Sequence, residues 1–270
     1  MKIYHYTNLD SLALILRNKT LLFNRLDCVD DIEEGSVVSS GIAIGKYVFV
    51  SCWTESAEES IPLWKMYACD KMGVRIGLDK DMFRKHLYVN PVLGGQQWSG
   101  SMLLPLSKEQ LEARSHFVLP MLTFNGDFFY RKVQYVDDVR EKTNNAVVIS
   151  PDAEGTTTAK IAFGEIGRYK HKRWEFQKES RFVLTILPFN PLLVNPNDVG
   201  NIAVNSYVQN KPLGFDKYFM HLDETILSNI EITLSPNATD GQKIIVESLT
   251  KQYAPTATIK PSALGRLVKM

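Results

Sequence analysis

Two runs of β-branched and aromatic residues place the strongest constraint on what this chain of 270 residues can fold into. Residues 47–53 and 178–187 have the length and the apolar composition of strands that are buried in a sheet. Weaker strand patterns are predicted at residues 3–7, 20–26, 73–79, 128–136, 229–234 and 256–260. Strands of this kind between helical segments indicate a mixed α/β protein.

Helices are predicted between these strands. Leu9, Leu12, Ala13 and Leu16 follow helical spacing, with Thr7 or Asn8 as the cap and residues 18–19 as the end. Ser60 and Pro62 predict a second helix start. Further helices are predicted at residues 80–87, 107–117, 156–172 and 240–252, and a surface loop at residues 27–34 closed by Gly35.

Composition limits the class of protein. Apolar residues make up 44% and charged residues 23%, which is an ordinary globular balance, and the formal net charge of +1 argues against a protein that coats nucleic acid. The isolated cysteines Cys28, Cys52 and Cys69 predict neither a zinc site nor a disulfide framework. We therefore expect a soluble, cytoplasmic protein without export signal or membrane anchor, forming one domain over residues 1–270 with a poorly patterned, lid-like insertion at about 90–126.

Three segments place polar or aromatic side chains at the ends of apolar strands. They are residues 4–7, 51–67 and 174–181. The two-residue period of a strand predicts that Gln177, Glu179 and Arg181 share one face. Each segment alone is a weak indication of a site, because a histidine such as His5 near a strand end is more often a structural hydrogen-bonding group.

Together the segments resemble a known family. The stretches YHYTNLDSLALILRNKTLLFNRLDCVDD, VFVSCWTESAEESIPLWKMYACDKMGVRIGLD and KHKRWEFQKESRFVL resemble the three blocks of the bacterial domain-of-unknown-function family 2971. Their order also resembles the ADP-ribosyltransferase superfamily, especially its diphtheria-toxin-like branch and the DNA-modifying toxins. That resemblance implies an α+β fold with a split, mostly antiparallel mixed sheet and flanking helices.

The resemblance also implies roles for individual residues. Glu179 would stabilise the positive charge that develops on the nicotinamide ribose of NAD, and it would act with His5 and Tyr67 as the catalytic group. Gln177 and Arg181 would contact the acceptor, and Gln177 is similar to the glutamine of enzymes that modify amides or nucleobases. The residues that would bind NAD are His5, Tyr6, Thr7, Arg25, Ser51, Trp64 and Tyr67.

The function implied by the resemblance is transfer of ADP-ribose from NAD to a macromolecule, with DNA or RNA favoured over protein. NAD is then a co-substrate, no metal is expected, and an antitoxin or chaperone could be a partner of such a toxin-like or anti-phage effector. The sequence departs from the superfamily at Tyr6, where many members have a small residue. It also lacks a glycine-rich phosphate loop.

Other interpretations of the same residues stay open. Trp64 and Tyr67 could be core residues, Glu179 and Arg181 could form a structural ion pair between strands, and the basic residues 168–173 could be a solvated helix end or a phosphate contact. The function could be that of a non-catalytic module that binds a nucleotide or a protein. A metal-dependent nuclease or hydrolase that uses the acidic residues Asp27, Asp30, Asp31, Glu33 and Glu34 is a third hypothesis.

Overall fold

The computed structural model describes residues 1–68, 72–93, 96–111, 113–119, 126–151 and 157–268. Its strands are β1 (Lys2–Asn8), β2 (Thr20–Arg25), β3 (Val48–Thr54), β4 (Gly73–Asp79), β5 (His86–Val89), β6 (Val92–Leu93), β7 (Gln96–Gln97), β8 (Ser101–Leu104), β9 (Phe117–Val118), β10 (Tyr130–Lys132), β11 (Gln134–Val136), β12 (Val147–Pro151), β13 (Thr157–Ile161), β14 (Tyr169–His171), β15 (Glu179–Leu187), β16 (Lys217–His221), β17 (Glu231–Leu234) and β18 (Thr258–Lys260).

The helices are shorter and lie between the strands. They are α1 (Leu9–Asn18), α2 (Ile32–Gly35), α3 (Ile61–Tyr67), α4 (Lys108–Leu111), α5 (Gly126–Phe129), α6 (Val139–Thr143), α7 (Val199–Val208), α8 (Glu224–Ser228) and α9 (Asp240–Tyr253). None of these helices combines the length and apolar character that a membrane crossing requires.

A ten-stranded sheet organises the fold. Its main path runs β10-β15-β3-β1-β4-β17-β18, with β2 and β16 joined through β3, and β9 joined to β15. All of its pairings are antiparallel except that of β17 with β18. The predicted mixed α+β architecture, with a mostly antiparallel sheet and flanking helices, is confirmed.

The two strands that dominate the sequence pattern are neighbours at the centre of the sheet. β3 and β15 pair from Glu179 opposite Thr54 to Thr185 opposite Val48. Every residue of β15 is buried. Burial on both faces explains why residues 47–50 and 182–184 are apolar without alternation, and why these two strands are the clearest in the sequence.

Local signals fix the first helix and α3. Asn8 caps α1 by accepting a hydrogen bond from the Ser11 amide, and Lys19 ends the helix in the left-handed conformation. Ser60 caps α3 in the same way through the Leu63 amide, with Pro62 in the first turn. Both predicted helix starts are therefore confirmed, and both helices pack against β1.

Two predicted helices are wrong. Residues 80–87 form a turn and the start of β5, because Phe83 bridges to Leu222 and is buried. In the segment predicted as a helix at 156–172, the described residues form β13 and β14, since β13 pairs with β12. The basic residues 168–173 are consequently not a helix end, and Lys170 is buried.

The segment at 90–126, predicted as a lid-like insertion, is described in part. Its described part holds β6 to β9, and the helix predicted at 107–117 is reduced to the four residues of α4. Phe117 and Val118 are fully buried and pair with β15, so this end of the segment belongs to the main sheet and its core. Residues 94–95, 112 and 120–125 lie outside the described residues.

Candidate functional site

The sheet opens along one edge of β3. At the start of the strand this edge pairs with β2, through Phe49 and Val50, and at its end it pairs with β1, through Thr54. Between these pairings, no residue in the described part of the chain pairs with residues 51–53 on that edge. A pocket of about 710 Å³ lies at this gap.

The pocket brings together most of the residues that the sequence singled out. They come from three distant parts of the chain: β1, the β3–α3 region and the start of β15. Antiparallel register places Tyr4, Cys52, Glu179 and Arg181 on one face, because Tyr4 and Glu179 both lie opposite Thr54. The predicted site residues that line the pocket are His5, Tyr6, Thr7, Ser51, Tyr67, Gln177, Glu179 and Arg181.

Arg25 and Trp64 lie outside this lining. The guanidinium of Arg25 pairs with the carboxylate of Asp27 at 2.6 Å and donates to the carbonyl of Phe215. The Trp64 ring is buried edge-on against Tyr6, and its Nε1 donates to Glu59 at 2.9 Å. Of the two aromatic residues considered for stacking on nicotinamide, the structure therefore leaves Tyr67 at the pocket and assigns Trp64 to core packing.

His5 lies on β1 beside the gap in the strand pairing of β3. Its Nδ1 lies 2.7 Å from the carbonyl oxygen of Cys52, and its ring packs against Trp53 with centroids 5.2 Å apart. Because a carbonyl only accepts, Nδ1 carries the proton and Nε2 is left as a hydrogen-bond acceptor. Burial lowers the pKa of His5, although the Cys52 carbonyl acts against this shift. The ring is therefore neutral at physiological pH.

Four buried charges lie next to one another beside the pocket. Glu179 pairs with Lys170 through Oε2 at 2.8 Å and with Arg181 through Oε1 at 2.5 Å. Arg181 also pairs with Glu34 on α2. Two carboxylates and two cations give no net charge, which is the arrangement that makes burial of ionised groups tolerable. We call Glu34, Lys170, Glu179 and Arg181 the charge quartet.

The quartet corrects two expectations. Glu179 and Arg181 do form an ion pair, but both lie on β15, two residues apart, so the pair does not join neighbouring strands. The acidic segment is not only a surface loop, because Asp31 caps α2 and Glu34 is buried against Arg181. Asp31 and Glu34, two of the five acidic residues considered as metal ligands, therefore make structural contacts instead. No group of residues suited to holding a metal occurs within the described ranges.

The neighbours of Glu179 determine its protonation state. Burial raises the pKa of this carboxyl, but attraction by Arg181 and Lys170 and hydrogen bonds from Cys52 and Lys170 outweigh burial and lower the pKa to about 2. For Glu34, burial and repulsion by Glu179 prevail over the two cations, so its pKa is raised. Glu179 is therefore a permanent anion at neutral pH, suited to stabilising positive charge and unsuited to donating a proton.

This low pKa predicts an acid-dependent loss of stability. A carboxyl whose pKa falls from 4.5 when unfolded to about 2 when folded stabilises the protein above pH 4.5 and loses this contribution as the pH falls toward 2. We expect the contribution to fall from about 3 kcal/mol at pH 5 to about 1 kcal/mol at pH 3. Urea unfolding of wild type and Glu179→Gln at both pH values isolates this term from Glu34, whose raised pKa acts in the opposite direction. A stability difference that is the same at both pH values would contradict the depressed pKa.

Tyr67 joins the quartet to the pocket mouth. Lys170 Nζ donates to Gln177 Oε1 at 2.8 Å, and Gln177 Nε2 donates to the Tyr67 hydroxyl at 2.9 Å. Tyr67 in turn donates to Asp30 at 2.7 Å. Burial and the contact with Asp30 raise the pKa of Tyr67, so its phenol stays protonated. This chain of hydrogen bonds holds the ring of Tyr67 and the amide of Gln177 in fixed positions.

Gln177 reaches the site for a different reason from the one that the sequence predicted. It ends a 3₁₀ helix, Lys172–Gln177, and Lys178 then takes the left-handed conformation with φ of 44° before β15 begins. Strand alternation therefore does not set its direction. Lys170 does, because its ammonium group lies between the side chains of Gln177 and Glu179.

Sequence reasoning missed several residues of the site. Lys170 was only one of a row of basic residues, and Glu34 only one of several acidic residues. The Cys52 thiol contributes to lowering the pKa of Glu179, and the Tyr135 hydroxyl accepts from the Glu179 amide at 2.8 Å. No local pattern in the sequence marks these contacts, because each joins residues that are far apart along the chain.

The fold and the pocket define a mixed α+β protein with a candidate site at an opening in a mostly antiparallel sheet. Residues 63–182 match the model of a family described as "Protein of unknown function (DUF2971)". The match confirms the resemblance to that family over this segment, which holds Tyr67, Gln177 and Glu179 and spans less than half of the chain. No curated protein and no solved structure matches the chain.

Proposed function

We propose that this protein is an ADP-ribosyltransferase that cleaves NAD and transfers ADP-ribose to a macromolecule, with a nucleic acid as the favoured acceptor. The observation that supports the proposal is the convergence of His5, Tyr67 and Glu179 on one pocket. These residues come from three separate segments of the chain, and the pocket volume of about 710 Å³ is in the range of small-molecule sites. The proposal includes a sheet of the ADP-ribosyltransferase type.

Each of the three residues has a role that fits its environment. His5 Nε2 accepts a hydrogen bond from a ribose hydroxyl, since Nδ1 is held by the Cys52 carbonyl. The Tyr67 ring packs against nicotinamide. When the N-glycosidic bond breaks, the electron pair of that bond leaves with nicotinamide and positive charge develops at C1′ of the ribose. The Glu179 carboxylate stabilises this positive charge. A nucleophile of the acceptor then bonds to C1′ and loses its proton.

Of the two residues expected to contact the acceptor, only Gln177 keeps that role in the proposal. Gln177 lines the pocket and presents an amide beside Tyr67. Arg181 is fully buried, and its guanidinium is occupied by Glu34, Glu179 and the carbonyl of Gly167. Arg181 therefore acts on Glu179, and the acceptor contact expected of it is not part of the proposal.

The direct test is transfer of label. Purified protein is incubated with NAD labelled in its adenylate half and with separate pools of DNA, RNA and cell protein. We expect label in a nucleic-acid pool, together with release of nicotinamide. Label in the protein pool alone would change the acceptor class, and neither label nor nicotinamide release in any pool would reject the proposed transferase.

A non-catalytic nucleotide-binding module is the second candidate, and one observation favours it. Both carboxylate oxygens of Glu179 are already held, one by Lys170 and the other by Arg181. A carboxylate neutralised in this way stabilises a developing cation less than a free one. Measurable affinity for NAD together with intact NAD after prolonged incubation would support the module.

A substitution at His5 tests the ligand contact that both candidates share. We expect His5→Ala to weaken NAD binding roughly tenfold, because one hydrogen bond of about 1 kcal/mol and its packing are lost. Since His5 is neutral, the affinity of the wild type should be constant between about pH 7 and pH 8.5. Titration calorimetry measures both results, and an unchanged affinity in the variant would remove His5 from the site.

A further inference from the structure

The pocket extends well beyond the charge quartet. From His5 it continues past α1 toward the strand pair β2–β16, where residues of both strands line it. This second part differs in character from the first, because apolar side chains replace the buried charges. The lining residues that define it are Leu14, Leu22, Asn24, Lys217 and Phe219, which we call the β2–β16 ledge.

Register explains why these side chains share one surface. Leu22 lies opposite Phe219, and Asn24 lies opposite Lys217, so all four project from the same face of the strand pair. Leu14 joins them from α1. Phe219 is 50% exposed and Leu14 is 58% exposed. Exposed and buried residues alternate along β16, so Phe219 lies on the exposed face of that strand. The ledge is thus an open apolar surface that continues the cavity.

The polar groups of the ledge are free to contact a ligand. Lys217 forms no ion pair within the described residues, whereas Lys19 and Arg84, which are also exposed, both pair with Glu224. An exposed aromatic ring beside a free cation is the combination that binds a heterocyclic base together with a phosphate. An apolar surface of a partner protein would not pair with the Lys217 ammonium group or hydrogen-bond the Asn24 amide, so a nucleotide fits the ledge better.

We propose that the β2–β16 ledge binds the adenine-bearing half of a dinucleotide, with the base against Phe219 and Lys217 near the phosphates. The inference rests on the proposed function, which places the nicotinamide half at Glu179. With that half fixed, the remainder of the ligand follows the pocket between β1 and α1, and the pocket leads to the ledge. Leu14 and Leu22 then cover the edges of the base.

Half-ligands separate the two parts of the pocket. Binding of NAD, ADP-ribose and nicotinamide mononucleotide is measured by titration calorimetry for wild type, Phe219→Ala and Lys217→Gln. Leu193→Ala is the control, because Leu193 is a comparably exposed apolar residue, 60% accessible, outside the pocket. Thermal unfolding checks that each variant keeps its fold.

We expect Phe219→Ala to lower the affinity for NAD and ADP-ribose at least tenfold, the usual effect of losing one base–aromatic contact. Lys217→Gln should lower both affinities less and reduce their dependence on salt. Neither variant should change the affinity for nicotinamide mononucleotide, and the control should change none of the three.

Unchanged NAD affinity in both variants would overturn the proposed binding of adenine at the ledge. If the wild type still cleaves NAD in that case, the proposed function stands. The opposite combination of results can also be told apart. Binding of ADP-ribose that depends on Phe219, without cleavage of NAD, would support the ledge and reject the transferase. Failure of the wild type to bind any of the three ligands would overturn the ledge.

Discussion

Glu179→Gln is expected to lower NAD cleavage by about 100-fold or more, the usual loss when one group that stabilises transition-state charge is removed. The amide has nearly the same shape as the carboxylate, so the pocket keeps its form, but it loses the negative charge and one of the two acceptor oxygens that Lys170 and Arg181 use. Single-turnover release of nicotinamide at saturating NAD measures the effect on the chemical step separately from binding.

The same substitution also affects folding. Removing the charge of Glu179 leaves Lys170 and Arg181 with only Glu34 as a counter-ion, and an uncompensated buried charge costs about 3–5 kcal/mol. Activity could therefore fall simply because less protein is folded. A control that removes a buried charge from the same quartet is needed.

Glu34→Gln is that control. It removes the same charge from the same quartet, and Glu34 is as buried as Glu179, but it does not line the pocket. We expect Glu179→Gln to lose more stability than Glu34→Gln in urea unfolding, because folding lowers the pKa of Glu179 and raises that of Glu34. Only Glu179→Gln should lose cleavage per folded molecule. Equal cleavage per folded molecule in the two variants would show that Glu179 is structural and would favour the binding module.

The sequence predicts the centre of this fold better than its periphery. β3 and β15 are buried on both faces and are recognisable without knowledge of their partners, and the capped starts of α1 and α3 depend on neighbouring residues alone. In contrast, β12 and β13 stabilise each other and have no strong pattern individually. Helix propensity in residues 156–172 was overridden by that pairing.

The same distinction applies to the site. Tyr67 and Glu179 were predictable as pocket residues because each stands at the end of a well-marked element, whereas His5 lies in the middle of β1. Lys170 and Glu34 were not, because their importance lies in the partner that each one meets across the fold. A row of basic residues predicts solvent exposure, and only the structure shows that Lys170 alone is turned inward, to Glu179 and Gln177.

Arg181→Met is expected to destabilise the fold about as strongly as Glu179→Gln. Arg181 is fully buried and donates to Glu34, to Glu179 and to the carbonyl of Gly167. Without it, two buried carboxylates share only Lys170, and we expect a loss of about 3–5 kcal/mol in the free energy of unfolding. Urea unfolding at neutral pH measures the loss.

Arg75→Met is the matched comparison, because Arg75 is a buried cation of a different kind. It donates to the carbonyl of Ala57 and lies over the rings of Tyr4 at 4.4 Å and Tyr6 at 5.9 Å, and it forms no ion pair within the described residues. Its replacement should cost only about 2 kcal/mol, the value of one hydrogen bond and two cation–π contacts, the second of them at long range. Equal losses in the two arginine variants would show that charge compensation is not what Arg181 supplies.

The double variant Arg181→Met/Glu34→Gln gives a sharper test, because it removes one cation and one anion and leaves Lys170 paired with Glu179. If the quartet is held by charge balance, the double variant should be more stable than the sum of the two single losses predicts. Additive losses would mean that Arg181 and Glu34 act independently. If the double variant recovers charge balance, Glu179 also stays ionised in it. The double variant then separates the contribution of Arg181 to folding stability from its effect on the charge of Glu179.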